Sequence, residues 1–257
     1  EKSIELNKKA LKIYKKIFGE VHVDYAIQLN NLADTYRGMG DIKKAIRLNL
    51  KSLELTKKIN GEEHFGYATG LSNLALMYKN DNQLEKALNY NFQALDIYSR
   101  IVGVEHPEYA ITASNIAFIY LENNQFENSI DYFLKVLNAY EVSFGKNNPK
   151  YAGALVHIAD VYYKMKNLDK AVEYDLIAIK IYENAVGEDY SGYVKTIEHL
   201  SLIYRKMGDF SEAIKCNEQL LAIREKILGK EHSQCVIIQA RIAEFYYQIG
   251  KYSKSIE

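Results

Sequence analysis

Two cysteines, Cys216 and Cys235, in 257 residues are too few for a disulfide framework. Such sparse usage suits a reducing compartment, so a cytoplasmic location is expected. Prolines also number only two, and no linker or low-complexity stretch interrupts the chain. Net charge is absent: 33 basic residues balance 33 acidic ones. No global field therefore favours nucleic acid or a membrane surface. No apolar run approaches the roughly 18 residues needed to span a bilayer, and no secretory signal opens the chain. HExxH, CxxC and glycine-rich phosphate loops are missing too, which leaves metal, cofactor and nucleotide sites without support.

What is there is repetition. Asp24 to Ile46 reads DYAIQLNNLADTYRGMGDIKKAI, and 42 residues later GYATGLSNLALMYKNDNQLEKAL follows. Three further full copies and a sixth, partial one complete the chain. A fixed period of this length means stacked supersecondary units, each packing mainly on its neighbours. Each copy predicts two amphipathic helices, near 23–38 and 41–59 in the first full one. Gly19, Gly61, Gly103, Gly145, Gly187 and Gly229 recur one period apart, just past the second helix. There a left-handed C-terminal cap costs glycine nothing. Pro107 and Pro149 stand in the first turn of a helix, where a missing N–H does no harm. The turn inside each copy (GMGD, KNDN, ENNQ, KMKN, KMGD) is short, so its two helices are antiparallel neighbours.

The array divides into a truncated unit at 1–19, full repeats at 20–61, 62–103, 104–145, 146–187 and 188–229, and a truncated repeat at 230–257. One column, Leu32, Leu74, Ile116, Ile158, Leu200 and Ile242, supplies the core spine. Small residues fill two more: Ala33, Ala75, Ala117, Ala159, Ser201, Ala243, and Ala45, Ala87, Ser129, Ala171, Ala213, Ser255. Small side chains there let helices approach closely, so enlarging Ala75 overpacks the core.

Leu32-Ala33, Tyr36 and Ala45, with their echoes, resemble the tetratricopeptide repeat. The 42-residue period, the LNNLA run at 29–33 and the G-x-x-H-P junction at 103–107 look most like its kinesin light chain branch. The resemblance covers the whole chain. It implies an all-α α-solenoid, a right-handed superhelix of antiparallel helix pairs whose first helices line a concave groove. It also implies a protein or peptide ligand in that groove and no catalysis by the array itself.

Residues able to carry chemistry fall into the repeat columns. His22, His64, His106 and His232 share the junction column with Asn148 and Tyr190, which marks a structural role at one turn. Of the 22 tyrosines, most fall into four columns: Tyr36/78/120/162/204/246, Tyr25/67/109/151/193, Tyr14/98/140/182 and Tyr90/132/174. Repeated aromatics at helical spacing read as core. Cys216 and Cys235 occupy two of those columns and read as small buried hydrophobes. No residue is assigned a catalytic or metal-binding role.

Carrying over the family's groove positions gives one polar column: Asn31, Asn73, Asn115, His157, His199 and Arg241. An amide donates and accepts together, so such a ladder can pair with the backbone of an extended peptide. The competing reading is that these side chains bridge neighbouring helices. Leu76, Ile111 and Phe118 form an expected apolar pocket beside the ladder. Lys195, Arg205 and Lys206, with His199, form an expected basic end for an acidic residue or a terminal carboxylate. The Lys/Asn pattern of a carboxylate-clamping chaperone arm is not reproduced, since Asn30 and Asp34 occupy the early positions.

The leading expectation is a scaffold binding an extended peptide or partner helix. The alternative is a docking, sensor or regulatory arm of a larger signalling enzyme, a caspase-like protease or nucleotide-binding switch protein. It is favoured by a chain that starts in mid-repeat and reads as a fragment. Self-association through uncapped ends is a third expectation.

Overall fold

A computed structural model describes residues 2–188 and 190–251. Its described residues form twelve helices: α1 (Lys2–Phe18), α2 (Val23–Gly38), α3 (Ile42–Asn60), α4 (Phe65–Asn80), α5 (Leu84–Ile101), α6 (Pro107–Glu122), α7 (Phe126–Phe144), α8 (Pro149–Lys164), α9 (Leu168–Ala185), α10 (Ser191–Met207), α11 (Phe210–Leu228) and α12 (Ser233–Gln248). No strand occurs among them, and the all-α solenoid class read from the period stands. Ser255 and the start of a further second helix lie outside the described residues.

Repeated local chemistry starts and stops each helix. His22, His64, His106 and His232 are the N-caps of α2, α4, α6 and α12. The Nδ1 of each accepts the backbone N–H two residues on, at 3.0–3.2 Å. Asn148 does the same for α8 through Oδ1, at 2.9 Å. These side chains satisfy an N–H that the first turn leaves without an intrahelical partner. The histidine column is thus structural, as its repetition suggested. At the inner turns, the N–H of Asp41, Gln83, Gln125, Asn167 and Asp209 donates to the carbonyl of Tyr36, Tyr78, Tyr120, Tyr162 and Tyr204. This six-to-one closure requires one left-handed residue, and Gly40, Asn82, Asn124, Lys166 and Gly208 supply it. Glycine and asparagine there match the sequence reading. Lys166, at φ 64°, is the departure.

The chain separates into two compact units that meet within α7, between residues 139 and 140. In unit 1, α2 packs on α3 and α4 on α5, and α4 touches both α2 and α6. Ser129 Oγ on α7 donates to the Ala117 carbonyl of α6 at 2.8 Å. In unit 2, α8 packs on α9, α9 on α10, α10 on α11 and α11 on α12, while α8 and α10 touch directly.

The columns explain the packing. Leu74, Ile116 and Ile158 are fully buried, as are Ala33, Ala75, Ala117, Ala159, Ala45, Ala87, Ser129, Ala171 and Ala213. Zero exposure at the small positions is what allows the helices their close approach. Two tyrosine columns stack within a hairpin: Tyr78 on Tyr90 at 5.4 Å, Tyr120 on Tyr132 at 5.8 Å and Tyr162 on Tyr174 at 5.5 Å. These aromatic pairs join the two helices of a hairpin. No helix among the described residues is long and apolar enough to cross a membrane.

Candidate functional site

Several first helices leave a large apolar residue uncovered. Ile27 on α2, Ile111 on α6, Leu202 on α10 and Ile237 on α12 are exposed, Ile237 by 58%. The ladder column lies on the first helices too. Asn31 is exposed, Asn73 and Asn115 are half-buried, His157 is exposed, and His199 and Arg241 are half-buried.

Several of these side chains turn out to have partners in a column that sequence reading passed over. On the second helices, Asn49, Asn91, Phe133, Asp175 and Asn217 recur one period apart and are at most 1% exposed. Asn7 heads the same column on α1. In unit 1, Asn49 Nδ2 donates to Asn30 Oδ1 at 2.6 Å, and Asn73 Nδ2 reaches the same oxygen at 3.4 Å. Asn7 receives Gln28 at 2.9 Å and donates to Thr35 Oγ1 at 2.9 Å. Both polar atoms of Asn91, and Asn115 Nδ2, are buried without a hydrogen-bond partner. In unit 2, His199 Nδ1 lies 2.7 Å from Asp175 Oδ2, and Arg241 Nη1 donates to Asn217 Oδ1 at 3.3 Å. Asn217 Nδ2 in turn donates to Ser201 Oγ at 2.6 Å. A polar residue repeated inside the apolar stripe of a second helix was the available signal, since an unpaired buried amide is costly.

Electrostatics single out one rung. Asp175 is fully buried, which raises its carboxyl above the usual carboxylate range, against the pull of His199. Burial works to lower the His199 imidazole, but the hydrogen bond and charge of Asp175, helped by Asp160, outweigh it and raise it. The edge of the Tyr163 ring lies against the same imidazole, with centroids 5.5 Å apart. Cys216 shows no such activation. Cys216 is buried and its thiol is pushed up to about 11, first by desolvation, and the Cys235 thiol points at the Gly229 carbonyl, 3.4 Å away. A thiol so disfavoured from ionising is a poor nucleophile.

Two clefts open on the first-helix face. In unit 1 a slot of about 240 Å³ lies between α2 and α4 over α3, with Val23, Ile27, Asn30, Thr69 and Gly70 in its wall. Gly70 keeps it narrow at the base: a Cβ there would sit 2.8 Å from Leu53 Cδ1. This slot stands one repeat before the expected pocket. Of that expected trio, Leu76 and Phe118 are half-buried and Ile111 is exposed. Phe118 packs edge-on against Phe133 at 5.1 Å, with Lys79 Nζ 5.8 Å from its ring. In unit 2 a cleft of about 650 Å³ opens between α10 and α12 over α11. Arg205, Arg224 and Arg241 line it together with Glu198. Of the expected basic end, Arg205 is in this cleft. Lys206 instead lies over the Tyr163 ring of α8, 4.4 Å from its centroid, and Lys195 is exposed on α10. Among the described residues no group of three or more His, Cys, Asp or Glu side chains is placed to hold a metal ion.

The family model described as tetratricopeptide repeat matches six overlapping stretches, 1–58, 28–100, 66–141, 108–184, 150–226 and 193–257. The chain belongs to the tetratricopeptide-repeat family. Among solved structures, this tetratricopeptide-repeat array is similar to BtubC (BKLC) from P. vanneervenii, at 21% identity over 90% of this chain and 93% of that one, TM-score 0.77. It is similar to a P. anserina kinesin light chain with nearly identical repeats, at 20% identity over 80% and 98%, TM-score 0.70. A STAND-type signal-transduction ATPase with a tetratricopeptide-repeat sensor, from Pyrococcus horikoshii, matches at 20% identity over 97% of this chain and 38% of that one, TM-score 0.74. No curated protein matches the chain. At these identities the structural likeness speaks for the fold, and BtubC and the P. anserina protein among these neighbours are kinesin-light-chain-like tetratricopeptide-repeat proteins.

Proposed function

We propose that this tetratricopeptide-repeat chain is an interaction scaffold that holds an extended peptide or partner helix along the face of its first helices, and that it performs no catalysis. The observation that carries this reading is the exposure of large apolar residues on first helices, Ile27 and Ile111 in unit 1 and Leu202 and Ile237 in unit 2, on helices that also carry side chains able to pair with a peptide backbone. Large apolar residues on helices whose other sides are buried make an anchoring surface. Asn115 Nδ2 supports it further, being a donor buried just beneath this face with no partner. Asn31, Asn73 and Asn115 then take backbone groups, and the apolar residues around them take side chains.

Selection of binders from a random peptide display library tests this. Peptides recovered on the wild-type chain should bind roughly tenfold more weakly to the Asn73→Ala/Asn115→Ala double variant, the scale of one or two lost hydrogen bonds. Peptides indifferent to both changes, on a variant with wild-type helicity, would sink the assignment of the ladder.

A second reading is a sensor or docking arm within a longer signalling enzyme. The likeness to the Pyrococcus horikoshii ATPase favours it, because 97% of this chain aligns with part of a protein whose repeats are described as a sensor. The gene around codons 1–257 distinguishes the two readings directly. A flanking nucleotide-binding or protease domain supports the arm, and a chain of repeats alone removes it.

A further inference from the structure

The cleft of unit 2 has a composition that the ladder does not explain. Three helices each supply an apolar residue followed one turn later by an arginine: Leu202 and Arg205 on α10, Leu220 and Arg224 on α11, Ile237 and Arg241 on α12. Residues three or four apart share a helix face, so each pair presents an aliphatic surface next to a guanidinium. The single carboxylate in the lining is Glu198, and it lies 3.4 Å from Arg224. Arg241 donates to an amide oxygen, that of Asn217. Arg205 has no carboxylate partner among the described residues. It stands seven residues beyond Glu198 on α10, about 10 Å along the axis at 1.5 Å per residue. Among the described residues the lining thus carries two positive charges without a carboxylate partner, at a volume of about 650 Å³, inside the range of roughly 300–1,000 Å³ usual for ligand sites.

We infer that this cleft is a binding site for an acidic segment of a peptide, in which a glutamate or aspartate side chain meets Arg205 and Arg241 while a flanking aliphatic residue lies on Leu202 and Ile237. Charge complementarity selects the occupant. A guanidinium fork matches a carboxylate in bidentate geometry. The aliphatic walls favour a chain with apolar residues beside its acids over a bare polyanion. Arg224, already held by Glu198, positions the floor and adds little new charge. The inference rests on the reading of the first-helix face as the peptide surface, and it assigns ligand chemistry to one end of that surface.

The test uses acetylated, C-terminally amidated, fluorescein-labelled pentapeptides, so that only side-chain charge varies. Leu-Glu-Leu-Glu-Leu is compared with Leu-Gln-Leu-Gln-Leu and with a form carrying phosphoserine in place of both glutamates, by fluorescence anisotropy on the whole chain. The glutamate probe should bind at least tenfold more tightly than the glutamine probe. It should lose about tenfold in Arg205→Gln and again in Arg241→Gln, the scale of one charged hydrogen-bonded contact each. Lys180→Gln removes a charge from exposed α9 and should change nothing. Arg205 is exposed, so Arg205→Gln keeps the fold, and a far-UV melt verifies this even if Arg241→Gln is disturbed. Equal binding of the glutamate and glutamine probes, or indifference to Arg205→Gln, overturns the inference. Tighter binding of the phosphoserine probe overturns the choice of carboxylate. None of these outcomes touches the Asn73 and Asn115 experiment, whose peptides are selected without regard to charge and whose variants lie in unit 1.

Discussion

In unit 1 the second-helix column holds amides, Asn49 and Asn91, both sealed from solvent; in unit 2 the same column holds Asp175 and Asn217, facing a histidine and an arginine. One period and one packing scheme therefore carry a neutral interior in one region and an ionisable one in the other. Both columns leave polar atoms without partners, Asn49 Oδ1 and both polar atoms of Asn91 in unit 1, and Asp175 Oδ1 with His199 Nε2 in unit 2. The ionisable one also joins its first helices by contacts to a histidine and an arginine, and Arg241 lines the cleft between α10 and α12. A buried polar position can thus be kept at the same place in the repeat while its chemical use changes.

The largest expected effect breaks the charged rung. Asp175→Ala removes the partner of a half-buried imidazole and leaves space in the core. Breaking a buried pair in this way costs about 3 kcal/mol or more, read as a lower urea midpoint. A loss below about 1 kcal/mol would show that the rung adds no stability. The same pair gives unit 2 a contribution to stability that depends on pH. His199 is raised above 6.5, so its contribution is complete below that value and is lost as pH climbs through the folded one. Asp175 is raised above 3.8, so the folded chain holds that proton longer than the unfolded chain, and this stability too falls as pH rises through the window above 3.8. Both signs agree for this pair: rising pH weakens the rung, while His157, lowered by desolvation, acts in the opposite sense. Asp160 and Tyr163 of α8 face the same site, and the charge of Asp160 raises His199 further. Urea midpoints measured across the window should fall toward alkaline pH in the wild type and stay flatter in His199→Gln. Parallel profiles would remove the rung as the cause.

The small column offers a control on which the two regions should agree. Ala75 in unit 1 and Ala159 in unit 2 are both fully buried. Leucine at either forces the helices apart at a cost of about 1–3 kcal/mol. Similar losses of melting temperature in Ala75→Leu and Ala159→Leu would place the difference between the units in the polar column alone.

Asn91 sharpens the contrast in the opposite direction. Its amide has no partner for nitrogen or oxygen, whereas Asn217 is bonded on both sides. Replacing a buried unsatisfied amide by an aliphatic group of similar size removes a desolvation cost. Asn91→Leu should therefore stabilise the chain by about 1 kcal/mol, while Asn217→Leu, which strands Arg241 and Ser201, should destabilise it. If Asn91→Leu is harmful, the amide has a role that the resting fold does not use, and a ligand reaching it would be the next thing to measure.

Much of this architecture was legible before any coordinates. A glycine one period apart at Gly61, Gly103 and Gly145 marks helix ends because only a few residues tolerate that backbone, and a histidine shared by four junctions marks a cap by its repetition. The polar ladder was visible because Asn31, Asn73 and Asn115 interrupt apolar helices. Its partners were not. Asn49 and Asn91 look like ordinary helix-surface amides until the hairpin closes, Phe133 breaks their column, and the rungs join residues 19 apart at Asn49–Asn30 and 24 apart at His199–Asp175, on different helices. Arg224 was hidden for a related reason. Alone on α11 it reads as a solvated charge, and only α10 and α12 on either side turn it into a wall of a cleft.

The smallest expected effect concerns the inner turns, where the two regions differ by a single residue type. Unit 1 meets the left-handed position with Gly40, Asn82 and Asn124, and unit 2 with Lys166 and Gly208. A lysine at φ 64° carries a Cβ penalty of roughly 1–2 kcal/mol that glycine escapes. Glycine also gains freedom in the unfolded chain, which returns part of that benefit. The net for Lys166→Gly should be a stabilisation of about 0.5 kcal/mol, read as a small rise in urea midpoint. The same substitution at Asn124 should give less, because asparagine already visits this region at low cost. Equal responses at the two turns would mean that the unfolded state, and not strain in the folded one, decides what occupies them.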